Sequence, residues 1–481
     1  MSANIEIRSR LLPVLTAVSA AALLTACAVG PRAPEAALPP QASGALIGAA
    51  SPAVSSAEVR EDWWRLYDDA VLDGLIAQAF AENNELEAAE ANLRAVRASL
   101  SESRAGRLPT TNLSGTAQRS RASAATVPGS NGATQDEIDT YDVGLDVGYE
   151  IDLFGRVGSA IRAARADADA AAAARDLVRI TVAAETARAY ADACSANAQI
   201  AVAERTIELQ ADTARLTQTL LDNGAGTGLD VARARSALAS TRSNLPGLTA
   251  QRDAALFRLA TLTGRTPAEA SEDARRCVRP PQLSQPIPVG DGAGLLARRP
   301  DVRRAERDLA AAAARVNVAT ASLFPTISLG GSIGSTALEG GDLGEDGNIR
   351  FGFGPLISWS FPNIAVARAR IAQTGALSEA ALATFDQTVL AALQETETAL
   401  SAYANELDRR AALSEARDQA ATAARLSRQR FQAGADSFLA VLDAERTLAT
   451  ADAALAASDA LVTSYQITVF KALGGGWRQD G

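Results

Sequence analysis

Two kinds of periodicity alternate along the chain. Val302, Ala305, Leu309, Ala312, Val316, Ala319 and Leu323 step by three and four residues, and Leu86, Ala89, Leu93, Val96 and Leu100 do the same earlier. Sustained spacing of this kind marks a helix–helix seam, and its small alanines let the partners approach closely. The longest helices expected run from about Val157 to Leu221 and from about Ala365 to Phe431. At some 65 residues each they span roughly 100 Å at 1.5 Å per residue. No single globular core covers such a length, so they must lie against one another as rods.

Elsewhere the period is two. Tyr141, Val143, Leu145, Val147, Tyr149, Ile151 and Leu153 alternate with Asp142, Gly144, Asp146, Gly148, Glu150 and Asp152. Ile327, Leu329 and Ile333 alternate with Thr326, Ser328 and Ser332, and Ile349, Phe351, Phe353, Ile357, Trp359 and Phe361 with Arg350, Gly352, Gly354, Ser358 and Ser360. One face of each strand is apolar and the other polar, and about ten alternating residues match a membrane-spanning barrel strand. A soluble sandwich is the other reading. The acidic, glycine-rich polar face, with Asp142, Asp146 and Glu150 as expected lumen-lining acids, favours the barrel. Four strands are too few, because a barrel needs about eight and lipid tolerates no open edge. Several copies must therefore pool strands; two copies would supply eight and three copies twelve, and strand number alone does not choose. The connecting segments, Ser120 to Thr140 and Thr336 to Asn348, are rich in Gly, Ser, Thr and Asp and read as solvent-facing tips.

The pattern is written twice. Glu90/Glu306, Pro109/Pro325, Leu113/Leu329 and Gly115/Gly331 match at one constant offset, and Glu185/Glu395, Gly224/Gly434, Leu229/Leu439 and Val231/Val441 at another. Such a period is far too long for a solenoid and indicates a duplicated unit, each copy reading helix, strand, loop, strand, long helix, turn, helix. The boundaries expected are a leader over 1–26, a linker over 27–60 and a first repeat over 61–262, with strands at about 110–155 and a helix-tip turn at 222–229. An intervening segment spans 263–294. The second repeat spans 295–472, with strands at about 325–362 and a tip at 432–438, and a tail covers 473–481.

Arg8 and Arg10 precede an apolar run, Leu11 to Ala22, followed by Leu24-Thr25-Ala26-Cys27. Basic start, short apolar middle and small residues before a cut describe a signal peptide. A cysteine just after the cut resembles the lipobox of bacterial lipoproteins, which implies cleavage before Cys27 and acylation of its thiol and new amino group. An ordinary secretory signal or a single span is the alternative, since Leu11–Val29 is just long enough to cross. Pro31, Pro34, Pro39, Pro40 and Pro52 among Ala, Gly and Ser then read as an extended tether, and acyl chains hold at about 0.8 kcal/mol per buried CH₂. No later stretch reaches spanning length.

Composition narrows the function. The 481 residues carry 46 Lys and Arg against 56 Asp and Glu, a net charge of −10, which argues against a nucleic-acid binder. There is no histidine, so His-based triads, His–metal sites and the usual proton shuttle are excluded. Cys27, Cys194 and Cys277 have no metal-binding spacing. Hydrophobic content is 47% but aromatic content only 4%, so alanine and leucine carry the apolar positions and favour helix. No catalytic motif appears, so no catalytic residue, metal or cofactor is expected beyond covalent lipid on Cys27.

Asp62-Trp63-Trp64, Asn84-Glu85-Leu86, Arg299-Pro300-Asp301-Val302-Arg303, Leu323-Phe324-Pro325-Thr326 and Ala472-Leu473-Gly474-Gly475-Gly476-Trp477 resemble the outer-membrane factor lipoproteins of the TolC type, NodT-like branch, across essentially the whole mature chain. The resemblance implies a mainly α fold with a small β part. Long antiparallel hairpins form a trimeric α-barrel in the periplasm, and four strands per chain enter one shared 12-stranded barrel in the outer membrane of a Gram-negative cell. It implies a passive exit duct for small molecules in a tripartite efflux system, partnered by a periplasmic adaptor and an inner-membrane transporter of the resistance–nodulation–division type. A periplasmic adaptor-like or structural coiled-coil lipoprotein is the alternative, for which the amphipathic strands have no use.

The resemblance also implies a closed tip. Matched onto this chain, the constricting residues are Leu439 and Asp443, whose i, i+4 spacing puts both on one helix face. Three leucines would make a dewetting constriction and three carboxylates a cation-preferring ring. The other reading of Asp443 is a solvated coil position paired with Arg446 or Arg428. Ala440 stands where some relatives have a second acid. The glycine-rich first tip, with Gly224, Gly226 and Gly228 opposite Gly434 in the second, is a hinge or adaptor-docking surface on one reading and a plain turn on another. Counting along the helices brings the segment after Leu262 level with Cys194, and the periplasm is oxidising, so a Cys194–Cys277 bridge and two free thiols both stand.

Overall fold

The computed structural model describes residues 29–31, 34–126, 136–360 and 364–476. Cys27, Phe361 and Trp477 lie outside the described residues. In chain order the elements are β1 (Val54–Ser55), α1 (Ala70–Glu82), α2 (Asn84–Ala105), β2 (Thr110–Arg121), β3 (Glu137–Ile151), α3 (Arg156–Asp222), α4 (Gly228–Leu262), α5 (Glu272–Arg276), β4 (Ile287–Pro288), α6 (Gly292–Arg298), α7 (Pro300–Ala321), β5 (Thr326–Ala337), β6 (Ile349–Ser358), α8 (Ile364–Gln432) and α9 (Phe438–Ala472). From α2 to α4 the lengths are 22, 12, 15, 67 and 35 residues; from α7 to α9 they are 22, 12, 10, 69 and 35. No helix among the described residues is long and apolar enough to cross a membrane.

The chain divides into two compact units. One comprises Met1–Ala36, Arg94–Ala170 and Ala305–Phe385. It holds an antiparallel sheet in the order β2-β3-β5-β6, in register Leu113↔Leu145↔Ile333↔Phe351. Along that row every side chain is apolar and exposed, from Leu145 at 38% to Phe351 at 84%. Beneath the sheet a small core gathers Leu100, Val157, Ile161 and Ala168. The strand-to-helix turn is capped by Asp152, which accepts from the Val157 and Gly158 amides at 2.9 and 2.6 Å.

The strands differ from the sequence expectation at their ends. β2 and β3 continue to Arg121 and Glu137, into a stretch expected to be loop, because Arg119 and Arg121 pair across the strands with Glu137 at 2.9 and 2.6 Å. Those charged residues hide the strand from an apolar-alternation rule. At the other end β3 stops at Ile151, short of Leu153, and β6 stops at Ser358. Trp359 turns away and donates its Nε1 to the Leu323 carbonyl at 3.3 Å.

The second unit comprises Ala37–Leu93, Ala171–Arg304 and Asp386–Gly481. Trp63 and Phe470 stack at 4.9 Å in its core, among Leu72, Ile76, Leu256, Leu259, Ile287, Leu295, Leu400 and Ile467. The N-terminal segment straps over this core. The Ile47 and Gly48 amides donate to the Glu397 carboxylate at 2.6 and 2.9 Å, and β1 pairs in parallel with β4.

Two side chains tie the starts of helices to the ends of others. Asn83 accepts from the Glu85 and Leu86 amides, capping α2, while its amide donates to the Leu262 carbonyl at the end of α4 at 2.9 Å. Arg299, just before α7, donates to the Ala472 carbonyl at the end of α9 at 2.6 Å and pairs with Asp301 and Glu395 at 2.6 and 2.7 Å. Burial opposes its charge, but the hydrogen bonds and charges of Asp301 and Glu395 outweigh it and raise its pKa above the ordinary arginine value.

Arg299→Met is expected to lower stability by about 2–3 kcal/mol, since it removes the cationic partner of Asp301 and Glu395 and leaves the buried Ala472 carbonyl with only the longer bond from the Thr396 hydroxyl at 3.3 Å. Arg299→Lys should recover less than half of that, lacking the planar fork. Thermal melts followed by helical circular dichroism check both.

Candidate functional site

The helix tips are built by one device used twice. At the end of α3 the Gly224 amide donates to the Leu221 carbonyl at 2.9 Å and the Ala225 amide to Leu220 at 2.8 Å; at the end of α8, Gly434 donates to Phe431 at 2.9 Å and Ala435 to Arg430 at 2.9 Å. This is the Schellman closure, and Gly224 and Gly434 sit at φ +70° and +74°, where a side chain would be strained. The return helices are capped by Thr227 and Ser437, which accept from the Asp230 and Ala440 amides. Gly226 allows a close approach, since a Cβ there would lie 3.1 Å from that of Leu220, whereas Gly228 has nothing within 4 Å. The turn itself accounts for Gly224, Gly226 and Gly434.

Above the tips α3, α4 and α9 enclose a concave face of about 1000 Å³. Leu439 and Asp443 both line it, with Arg446 on the same helix and Arg233 on α4. Leu439 is 53% exposed, and Asp443 is exposed with no ionic partner among the described residues. Arg446 and Arg233 likewise show no ion pair among those residues. The face therefore carries both signs of charge rather than acid alone.

Arg428 does not reach Asp443. It pairs with Glu445, which is 2% exposed and also accepts from the Thr213 hydroxyl at 3.0 Å. Three helices, α3, α8 and α9, thus meet on one buried carboxylate. Sequence reasoning missed it, although the signal was present. Phe438, Val441 and Glu445 step by three and four, so Glu445 occupies a seam position that an apolar residue would normally fill.

In the sheet-bearing unit, Asp142, Asp146 and Glu150 share the polar face of β3. Asp142 meets Arg350 at 2.8 Å and Glu150 is bound by Arg156, while Asp146 is exposed with no ionic partner among the described residues. The three acids of this face are therefore not equivalent: two are paired with arginine and one is without an ionic partner among the described residues.

In the other unit Cys194, fully buried on α3, is bonded to Cys277 with Sγ–Sγ 2.05 Å and Cα–Cα 4.9 Å. Asn197, one turn on, donates to the Arg275 and Cys277 carbonyls at 3.0 and 2.7 Å, holding the segment after α5 against α3. Among the described residues no group of His, Cys, Asp and Glu could hold a metal ion.

The family model described as "Outer membrane efflux protein" matches residues 75–265 and 294–475. The pyoverdine export outer membrane protein OpmQ of Pseudomonas aeruginosa is 32% identical over 472 residues, covering 97% of both chains. Nodulation protein T of Rhizobium leguminosarum bv. trifolii is 29% identical over 443 residues, covering 90% of this chain and 91% of its own. Among solved structures, the outer-membrane channel OprN superposes with a TM-score of 0.88 at 35% identity, covering 94% of this chain and all of that one.

Arg428→Ala is expected to destabilise the protein by about 2–3 kcal/mol, because Glu445 is left buried with only a hydroxyl partner. The double change Arg428→Ala/Glu445→Leu should recover most of the loss. A double change no more stable than Arg428→Ala alone, in thermal melts, would show that Arg428 acts through something other than that carboxylate.

Proposed function

The chain belongs to the outer membrane efflux protein family, and from that premise we propose that three copies assemble into one outer-membrane exit duct that is closed at its periplasmic helix tips until a partner opens it. That it is an outer-membrane efflux protein with the TolC-type channel fold follows from the family, and the adaptor-like alternative falls away. The observation that carries the assembly is the sheet β2-β3-β5-β6, whose apolar face is exposed and whose two edges are open. A single copy cannot seal those edges in lipid; three supply twelve strands, in the size range of outer-membrane barrels.

The chain supplies no energy source of its own, so opening must come from partners with unequal affinity for the open and closed tips. A periplasmic adaptor and an inner-membrane transporter of the resistance–nodulation–division type fit that need. Leu439 and Asp443 are the gate residues of this reading, supported by their shared exposed face and by the absence of any ion pair on Asp443 among the described residues. The tips with Gly224, Gly226, Gly228 and Gly434 are the docking surface. Cys27 carries the lipid that holds the N-terminal tether at the membrane.

Three outcomes test this. The mature chain should run as a heat-modifiable trimer from outer-membrane fractions, and Asp443→Ala should raise its single-channel conductance about twofold or more by removing a charged ring from the narrowest point; a stable, water-soluble monomer lacking any pore overturns the duct, and unchanged conductance removes Asp443 from the gate. Cys27→Ser should abolish incorporation of labelled palmitate while leaving trimers detectable in the outer membrane. Persistent labelling would exclude Cys27 as the acylated residue.

A further inference from the structure

The polar face of the sheet carries one arginine. Among the described residues of β2, β3, β5 and β6, its charged side chains are Asp142, Asp146, Glu150 and Arg350. Arg350 is anchored on β6 and reaches across β5 to β3. Its Nη2 donates to both carboxylate oxygens of Asp142, at 2.9 and 2.8 Å, and its Nε to the Thr336 hydroxyl at 3.2 Å. That hydroxyl in turn donates to Asp142 at 2.7 Å. Three strands are thus stitched by one closed triangle of hydrogen bonds.

The floor beneath the guanidinium is glycine. A Cβ on Gly144 would lie 3.1 Å from Nη2 of Arg350, and one on Gly334 3.1 Å from its Cζ. The two bare positions let a planar cation lie flat on the sheet instead of standing upright. A flat, doubly bonded guanidinium occupies little of the bore and presents a fixed charge beside a fixed carboxylate. Arg350 is still 48% exposed and Asp142 26%, so the pair faces water rather than a packed core.

We infer that Arg350 is the charge-setting residue of the barrel interior: it cancels Asp142 and leaves Asp146 as the one uncompensated carboxylate per chain on that face, so that the pair decides how strongly the wide end of the duct prefers cations. This rests on the reading that the polar face lines a shared, water-filled barrel. On that reading the face of each chain carries one net negative charge, because Glu150 is matched by Arg156. Removing the arginine doubles it, and removing only Asp142 abolishes it. A water-lined wall of fixed charge concentrates counter-ions, and the effect is screened over about 10 Å at 0.1 M salt.

The test is the potassium-to-chloride permeability ratio of purified trimers in planar bilayers at about 0.1 M salt, measured in the wild-type and Asp443→Ala backgrounds so that the tip does not dominate. Arg350→Gln should raise the ratio about two- to threefold and Asp142→Asn should lower it toward unity, while Asp142→Asn/Arg350→Gln should return it to the parental value. These shifts should fade at about 1 M salt, where the screening length falls to about 3 Å. Asp142→Asn carries the opposite sign and decides the matter even if Arg350→Gln fails to assemble. Channels that form with normal conductance but show no change of ratio in any variant, or changes of one sign for both single variants, overturn the inference while leaving the duct intact. Absence of channels from the unaltered chain would instead overturn the underlying reading.

Discussion

An amide or carbonyl without a partner cannot be left in hydrocarbon, at a cost of several kcal/mol each. Much of this chain follows from that constraint. Its sheet is only four strands wide, ends at β2 on one side and β6 on the other, and turns its apolar side chains outward instead of packing them. A soluble sandwich would bury such a face against a second layer. Here Phe351 and Phe353 stay 84% and 80% exposed, and the side that is polar and glycine-rich is the one that must meet water. On the proposed reading identical neighbours close those edges, which is how a chain with so little strand contributes to a barrel.

The helical unit answers a different demand, that very long helices keep their ends together. A helix terminus leaves four backbone groups unpaired, and the chain spends polar side chains on those groups. Asn83 and Arg299 each join the start of a 22-residue helix to the last carbonyls of a 35-residue one. They occupy matching places in the two halves of the chain but are chemically unlike. The arginine, itself buried, makes an ionic contact to Asp301 and Glu395, whereas at the matching junction of the first half the ion pair is the exposed one between Glu82 and Arg265 at 3.8 Å. Glu445 repeats the theme lower down, where one buried carboxylate gathers Arg428 and Thr213. Such a group is costly to isolate and therefore ties its partners to one arrangement.

Legibility in the sequence divides along physical lines. Helix seams and strand alternation were readable because both express burial or lipid contact as a period, and the ends of α3 and α8 fell within a residue or so of expectation. The tips were readable from glycine, since Gly224 and Gly434 mark left-handed closures. Strand ends held by ion pairs, as at Arg119 and Arg121, were not, because charge there substitutes for the apolar pattern. Nor were the partners of Asp142 and Arg428, each of which lies far along the chain from its counter-charge or competes with a nearer acid. The motifs containing Arg299 and Trp63 identified the family without revealing that one braces a helix end and the other stacks in the core.

The distribution of charge argues against reading this duct as uniformly acidic, despite the net charge of −10. On the polar face of the sheet two of the three carboxylates are matched by arginine, and on the concave face above the tips Asp443 shares its surface with Arg446 and Arg233. A wall of one sign would hold counter-ions tightly and exclude cargo of like charge. Paired and alternating charges instead keep the wall wetted while leaving a modest net field. A passive conduit has no means of pulling a bound molecule free, so weak wall binding is the property its throughput requires. On the reading proposed above, cation preference is set by the carboxylates without an ionic partner among the described residues, Asp146 on the sheet and Asp443 on the concave face, and not by the count of acids along the chain.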